Sequence, residues 1–361
     1  MGISRVCFDL NMALIHLFRR CNQKCVFCSY PADAKAGGGA DLGSWLKEIS
    51  GMKPGLVQIS GGEPLLADLG DLIKVIAFCA KTGRIVELQT NGVLIPALAQ
   101  VDLKLLVHAV GAAKGYFNVN FPAHSAALDL KITGTPGAFA ARKKAIGKLL
   151  ALGAKVRLTH VISSLNYDKT PEFAVFAVKN FNTCVGVVSK HGVQQTANTC
   201  VGAVSKHSVQ QTANTCVGAV SKHSVQQTAK GPIWLQFSFI KGLGRAEGSR
   251  LIPEYHKAAP YLLKALDLCG KKGLKCDVDH IPPCFLGPHH ARNVDIEKMR
   301  AGVKGPHLVE KKKVPECRGC VFFRLCPGPR KDYIAAHPAL FPLFGETSGV
   351  HGAQRGRDPD A

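Results

Sequence analysis

Six strand-like apolar runs follow one another along the 361-residue chain, each separated from the next by a stretch with helical spacing. The first lies within Val6–Phe18. The others are GLVQIS (55–60), RIVELQT (84–90), YFNVNF (116–121), KVRLTHVI (155–162) and WLQFSFI (234–240). Helix signals lie between them. Asp41 is a candidate N-cap for a helix with Trp45, Leu46 and Ile49 on one face. Leu69, Leu72, Ile73 and Ile76 recur at helical spacing up to a stop near Gly83. Further helices are predicted up to about Ala113, over Pro136–Leu152, over Pro171–Phe181 and over Pro253–Gly273, and LKCDVD (274–279) is a further strand candidate. Strands and helices in strict alternation require a parallel sheet with right-handed crossovers. Six units fall short of a closed eightfold barrel, so the expected fold is α/β: a partial (β/α)6 TIM-like barrel with a small Cys-rich C-terminal extension. In such folds the functional site gathers at the C-terminal ends of the strands.

Composition permits a large core and argues against a membrane span. Hydrophobic residues make up 46% of the chain, yet no apolar run reaches the roughly 18 residues a span needs. The N-terminal MGISRVCFDL lacks a basic-then-apolar leader, and Val6 breaks a myristoylation pattern, so a cytoplasmic location is expected. The net charge of +21 is spread along the chain. It suits a soluble basic surface or an acidic partner. The densest run, Lys311-Lys312-Lys313, has no interleaved aromatic residue for base stacking, so a nucleic-acid surface is not expected. The 14 cysteines fall in short spacings, a pattern of metal binding rather than disulfides in a reducing compartment.

One segment breaks the β/α rhythm. The 16-residue sequence at 182–197 recurs at 198–213 and 214–229, the first copy differing at Val187 and Gly192. Each copy carries a Cys and a His: Cys184/His191, Cys200/His207 and Cys216/His223. A surface insertion is the expectation, and a metal site across copies the alternative. The polar composition beyond Gly345 predicts an unstructured tail.

Two cysteine groups carry the chemistry. Cys21, Cys25 and Cys28 place three thiols within eight residues, after the first strand. A [4Fe–4S] cluster takes four ligands, so three local thiolates leave one iron open to another ligand. A structural zinc site is the alternative and wants a fourth Cys or His, which is not evident nearby, because Cys7 sits in the preceding strand. Cys284, Cys317, Cys320 and Cys326 form the second group, sufficient for a second [4Fe–4S] cluster or a tetrahedral zinc. Cys7, Cys79, Cys269 and Cys276 lie in apolar patterns and read as buried thiols, and His289 and His290 as loop residues.

Cys21-x3-Cys25-x2-Cys28 with Phe27 before the third Cys, followed by Ser60-Gly61-Gly62-Glu63-Pro64 after the second strand, resembles the radical SAM superfamily. The resemblance covers roughly residues 5–255. It implies a SAM-binding [4Fe–4S] cluster on Cys21, Cys25 and Cys28, with the open iron chelated by the methionine part of S-adenosylmethionine (SAM). It also implies that the Ser60–Pro64 backbone and Glu63 meet the amino group and that Phe27 and Tyr30 lie near the adenine. The implied activity is cleavage of SAM to a 5′-deoxyadenosyl radical that abstracts hydrogen from a substrate. Position alone adds Asn91 and Asn118 as cofactor contacts, with Thr90, Asn120, Ser163 and Asn166 as further strand-end candidates. The second cysteine group resembles the SPASM auxiliary-cluster extension of peptide-modifying members, over 256–344. The match is partial: where that pattern continues with a further Cys, this chain has Arg330. The implied substrate is a peptide or protein. Cofactor or tetrapyrrole biosynthesis on a small molecule and a non-catalytic metal-binding relative are the alternatives, and the implied partner is an electron donor such as flavodoxin or ferredoxin.

Overall fold

The computed structural model describes residues 12–30, 41–53, 55–181, 233–303 and 306–338. Cys7, the Gly37–Gly39 stretch, the three-copy repeat and the tail lie outside these. Seven parallel strands form one sheet in sequence order: β1 (Met12–His16), β2 (Leu56–Ser60), β3 (Ile85–Thr90), β4 (Tyr116–Asn120), β5 (Val156–Ile162), β6 (Ile233–Phe239) and β7 (Cys276–Asp279). The sheet curls into a half-barrel. Sixfold expectation becomes sevenfold because β7 pairs with β6, Leu235 opposite Cys276 and Ser238 opposite Asp279. The strand candidate at 274–279 is therefore part of the barrel.

The helices are α1 (Leu42–Gly51), α2 (Leu69–Lys81), α3 (Gln100–Ala112), α4 (Ala126–Thr133), α5 (Ala138–Ala151), α6 (Thr170–Phe181) and α7 (Tyr255–Lys271). Asp41 caps α1 by accepting from the Ser44 N–H at 2.8 Å. The region expected to be one helix from Pro136 is preceded by α4, which sequence patterning does not reveal. This helix has no apolar stripe, and its buried face includes Asp129 and Thr133. Ser125 caps its start, and Gly134, left-handed at φ 61°, ends it.

Alternation along the strands sorts two faces. Val57, Ile59, Val86, Leu88, Phe117, Val119, Leu158, Leu235 and Phe237 are fully buried in the core cluster they share with helix residues. Each such side chain withdrawn from water contributes about 1.5–3 kcal/mol. The other face is polar. Gln58 stands opposite Glu87, Glu87 opposite Tyr116, Asn118 opposite Arg157, and Thr159 opposite Gln236. The helices thus cover an apolar wall, and a polar surface faces the interior of the half-barrel.

Candidate active site

The three-cysteine loop leaves β1 and is fastened on three sides. The Leu17 N–H bonds to Ser60 O at 3.0 Å, the Gly62 N–H to Phe18 O at 2.7 Å and the Glu63 N–H to Arg20 O at 2.8 Å. The GGEP turn therefore lies directly on the start of the loop. A methyl group on Gly62 would sit 1.8 Å from Arg20 O, and one on Gly61 would sit 2.4 Å from Phe18 O. Both positions need glycine for this backbone approach. On a second side, the C-terminal turn of α4 accepts from the loop: Lys24 N–H to Thr133 O at 3.0 Å and Val26 N–H to Ile132 O at 2.9 Å. On the third, the Arg245 N–H donates to Cys28 O at 2.9 Å.

Glu63 is fully buried. Its carboxylate accepts from Thr90 Oγ1 at 2.7 Å, from the Asn91 N–H at 2.7 Å and from the Leu65 N–H at 3.1 Å. Burial raises its pKa against these donors. The side chain is thus a staple between the GGEP turn and the end of β3. Asn91 continues the chain of contacts: its Nδ2 donates to Asn22 Oδ1 at 2.6 Å and lies 3.9 Å from Cys21 Sγ.

Arg142 of α5 is wholly buried and ties these parts together. Its Nη1 meets Asp129 Oδ1 at 2.5 Å, and its Nε donates to Asn91 O at 3.0 Å. Asp129 belongs to α4, whose end holds Lys24 and Val26. One guanidinium therefore braces both supports of the cysteine loop. Burial pushes the Cys25 thiol up to about 12, and the neighbouring Cys28 and Cys21 push the same way. Burial raises Cys21 as well. Three thiols in one half-buried loop, each feeling the others' charge, suit a positively charged metal group that takes them as thiolates. Phe27 packs against the core, and the Tyr30 ring lies 4.0 Å from that of His16 with Arg19 3.9 Å above it.

The strand-end candidates separate by what their polar atoms do. Asn118 is mid-strand: its Nδ2 donates to Glu87 Oε1 at 2.8 Å and its Oδ1 accepts from Thr159 Oγ1 at 2.6 Å. Asn166 is spent on the loop after β5, donating to Pro122 O and Val161 O at 2.8 Å and accepting from the Ser163 N–H at 2.7 Å. Asn120 Oδ1, at the end of β4, is buried and has no hydrogen-bond partner.

Sequence reasoning missed the polar network at the half-barrel's centre. Glu87, fully buried, accepts from Gln58 at 3.0 Å, Gln89 at 2.9 Å, Tyr116 at 2.6 Å, Asn118 at 2.8 Å and Arg157 at 2.5 Å. Burial would raise its pKa, but Arg157 and the hydroxyl and amide donors hold it below the usual carboxylate range. The signal was present: a charge in the interior of each run, Glu87 in RIVELQT and Arg157 in KVRLTHVI.

The C-terminal cysteines also assemble. Burial raises Cys284, and Cys320, Cys326 and Cys317 add to the rise, so thiols far apart in sequence lie near enough to feel one another's charge. Burial pushes Cys326 up to about 11. The Gly328 N–H donates to Cys326 Sγ at 3.3 Å, and a methyl on Gly328 would meet Lys312 O at 2.4 Å. Among the described residues no three His, Cys, Asp or Glu side chains are arranged to hold a single metal ion. A cubane takes each thiolate on a different iron and does not need donors converging on one point. His289 pairs with Asp267 at 2.7 Å and His290 Nδ1 lies 3.1 Å from Gly287 O, so both are engaged locally.

Residues 15–177 match the model of the radical SAM superfamily. This segment is a radical SAM domain. Its curated relatives include the PqqA peptide cyclase of Methylocella silvestris, 27% identical over 169 residues, which are 46% of this chain and 43% of that protein. The probable GTP 3′,8-cyclase of Pyrobaculum aerophilum is 31% identical over 157 residues, 41% of this chain and 47% of that one. The chain thus spans less than half the length of these relatives. Among solved structures, Streptococcus suis SuiB bound to S-adenosylmethionine aligns with TM-score 0.56 at 11% identity, covering 91% of this chain and 74% of SuiB. Native anSMEcpe with bound AdoMet aligns with TM-score 0.52 at 14% identity, covering 95% and 99%. At these identities the likeness shows a shared fold alone. No helix among the described residues is long and apolar enough to cross a membrane.

Proposed function

We propose that this protein is a radical SAM enzyme that acts on a peptide or protein. The observation that carries the reading is the strapping of the three-cysteine loop onto the GGEP turn at Gly61 and Gly62, where only glycine fits. Cys21, Cys25 and Cys28 would hold a [4Fe–4S] cluster, and the half-buried glycine edge of the GGEP turn would receive SAM. A group so held, reduced by one electron from an external donor, would supply homolytic cleavage of SAM to methionine and a 5′-deoxyadenosyl radical able to take hydrogen from the substrate. The protein's own residues hold and orient. Glu63, Thr90 and Asn91 fix the turn, Arg142 and Asp129 fix the loop, and Phe27 with the apolar wall excludes water from one side. The network built on Glu87 and Arg157 makes the half-barrel interior polar, with its amides and hydroxyls bonded to one another.

The C-terminal four-cysteine group would hold a second [4Fe–4S] cluster, with zinc as the alternative, and an electron donor of the flavodoxin or ferredoxin kind would reduce the first. A peptide substrate is supported by the similarity to a peptide cyclase. The similarity to a probable GTP cyclase favours a second reading, a small-molecule substrate in cofactor biosynthesis. SAM turnover by the iron-loaded, reduced protein separates them. Short peptides should accelerate 5′-deoxyadenosine release and GTP should not. Acceleration by GTP alone would select the second reading.

A further inference from the structure

The position at which the auxiliary-cluster pattern would continue with Cys is Arg330, and its side chain is 3% exposed. It makes two ion pairs in different directions. Nη1 meets Glu310 Oε2 at 2.6 Å, and Nη2 meets Asp332 Oδ2 at 3.0 Å. Glu310 in turn faces Lys241 Nζ at 3.4 Å, just past the end of β6. Asp332 Oδ2 accepts the Gly242 N–H at 2.5 Å. A methyl on Gly242 would stand 3.2 Å from Asp332 Cβ and 2.6 Å from Ile252 Cδ1, so the β6 loop is pressed onto this segment. Three residues further along the same loop, the Arg245 N–H donates to Cys28 O, and Arg245 Nη1 lies 3.5 Å from Cys25 O. On its other side Arg330 belongs to the auxiliary cysteine segment. It is bridged to Lys311, and the Lys312 N–H donates to Pro329 O at 3.0 Å.

We propose that Arg330 is a positioning residue that couples the two cysteine groups: through Asp332 and Glu310 it clamps the loop 241–245, and that loop holds the Cys25–Cys28 end of the first group. Two features argue for coupling over simple packing. The contacts are charge-assisted, and between Arg330 and Asp332 they are shielded from water, where such bonds are strong. They also end on a single loop, at the Gly242 N–H and the Lys241 ammonium, and that loop goes on to meet the backbone of Cys25 and Cys28. The inference rests on the first cysteine loop being the working site under the proposed function, but its test does not require metal.

Hydrogen–deuterium exchange on the full chain, before and after anaerobic loading with iron and sulfide, tests it. Arg330→Met and Asp332→Asn are each expected to speed exchange at Gly242–Arg245 about ten- to hundredfold, the scale of losing one charged hydrogen bond. They should also speed exchange in the peptide spanning Cys21–Cys28, which neither residue touches. Arg330→Lys, which keeps the charge but not the fork, should fall between them and the unaltered protein. Peptides from α2 and β3 should not change. Faster exchange confined to 310–333, with 21–28 unaffected in Asp332→Asn, would overturn the coupling. If Arg330→Met does not fold, Asp332→Asn decides alone. Failure of the chain to take up iron would count against the proposed function and leave this comparison, made on the unloaded chain, intact.

Discussion

Replacing Arg142 by Met should damage the cysteine loop more than the rest of the fold. Arg142 is fully buried, and its partner Asp129 is 1% exposed. Removing the guanidinium leaves a carboxylate without a counter-charge inside the protein, which costs about 3–5 kcal/mol. The lost donor to Asn91 O adds to this, although the two losses share one side chain and are not additive. A domain of this size has roughly 5–15 kcal/mol in hand, so the variant should fold at 25 °C with much reduced stability. Urea unfolding measures the loss. The double variant Arg142→Met/Asp129→Leu removes the stranded charge and should recover most of it. Iron uptake should not recover, because α4 and the Asn91 turn are no longer braced against one another. A loss under about 1 kcal/mol in the single variant, on the exposed-pair scale, or full recovery of iron uptake in the double, would refute this account of Arg142.

Three further outcomes follow from the geometry. Gly62→Ala should abolish iron binding while leaving the sheet's circular dichroism near that of the parent, since the new methyl would lie 1.8 Å from Arg20 O and that backbone must move. His160 is buried against Phe173 at 4.2 Å with burial holding its pKa down to about 3. Its folded pKa lies below the unfolded value of 6.5, so the unfolded state binds the extra proton and stability falls as pH drops through that window, by about 2 kcal/mol at pH 5. His160→Phe should remove this slope, read as urea midpoints at pH 7 and pH 5. Cys320→Ala should lower iron from about eight to about four atoms per chain if the second group holds a cubane. Iron unchanged at about four, with one zinc lost, would identify the zinc alternative.

The three-cysteine loop, the GGEP turn and the β/α order were legible because each is local: spacing within eight residues, a turn after a strand, an apolar period. What escaped was built from partners far apart. Arg142 and Asp129 come from different helices, and Asp129 lies on a helix whose buried face is partly polar, so no apolar period announced it. Glu87 and Arg157 sit 70 residues apart and meet because β3, β4 and β5 are neighbours. Glu63 was legible as a motif residue, but its inward orientation was not. That depends on Thr90 and the Asn91 N–H arriving from β3. Arg330 read as a missing ligand, and its use as a clamp required Asp332 and the β6 loop to be in place. Asn118 and Asn166 carried the right chemistry for a ligand contact, yet the sheet and the loop after β5 spend their polar atoms internally.

The most direct test of the central claim is 5′-deoxyadenosine itself. Protein loaded anaerobically with iron and sulfide is incubated with SAM and a strong one-electron reductant, and the product is quantified against Cys25→Ala treated the same way. The account predicts 5′-deoxyadenosine and methionine in equal amounts from the parent protein and none above background from the variant. Fully loaded parent protein that yields no 5′-deoxyadenosine, or a Cys25→Ala protein that yields as much as the parent, would contradict it.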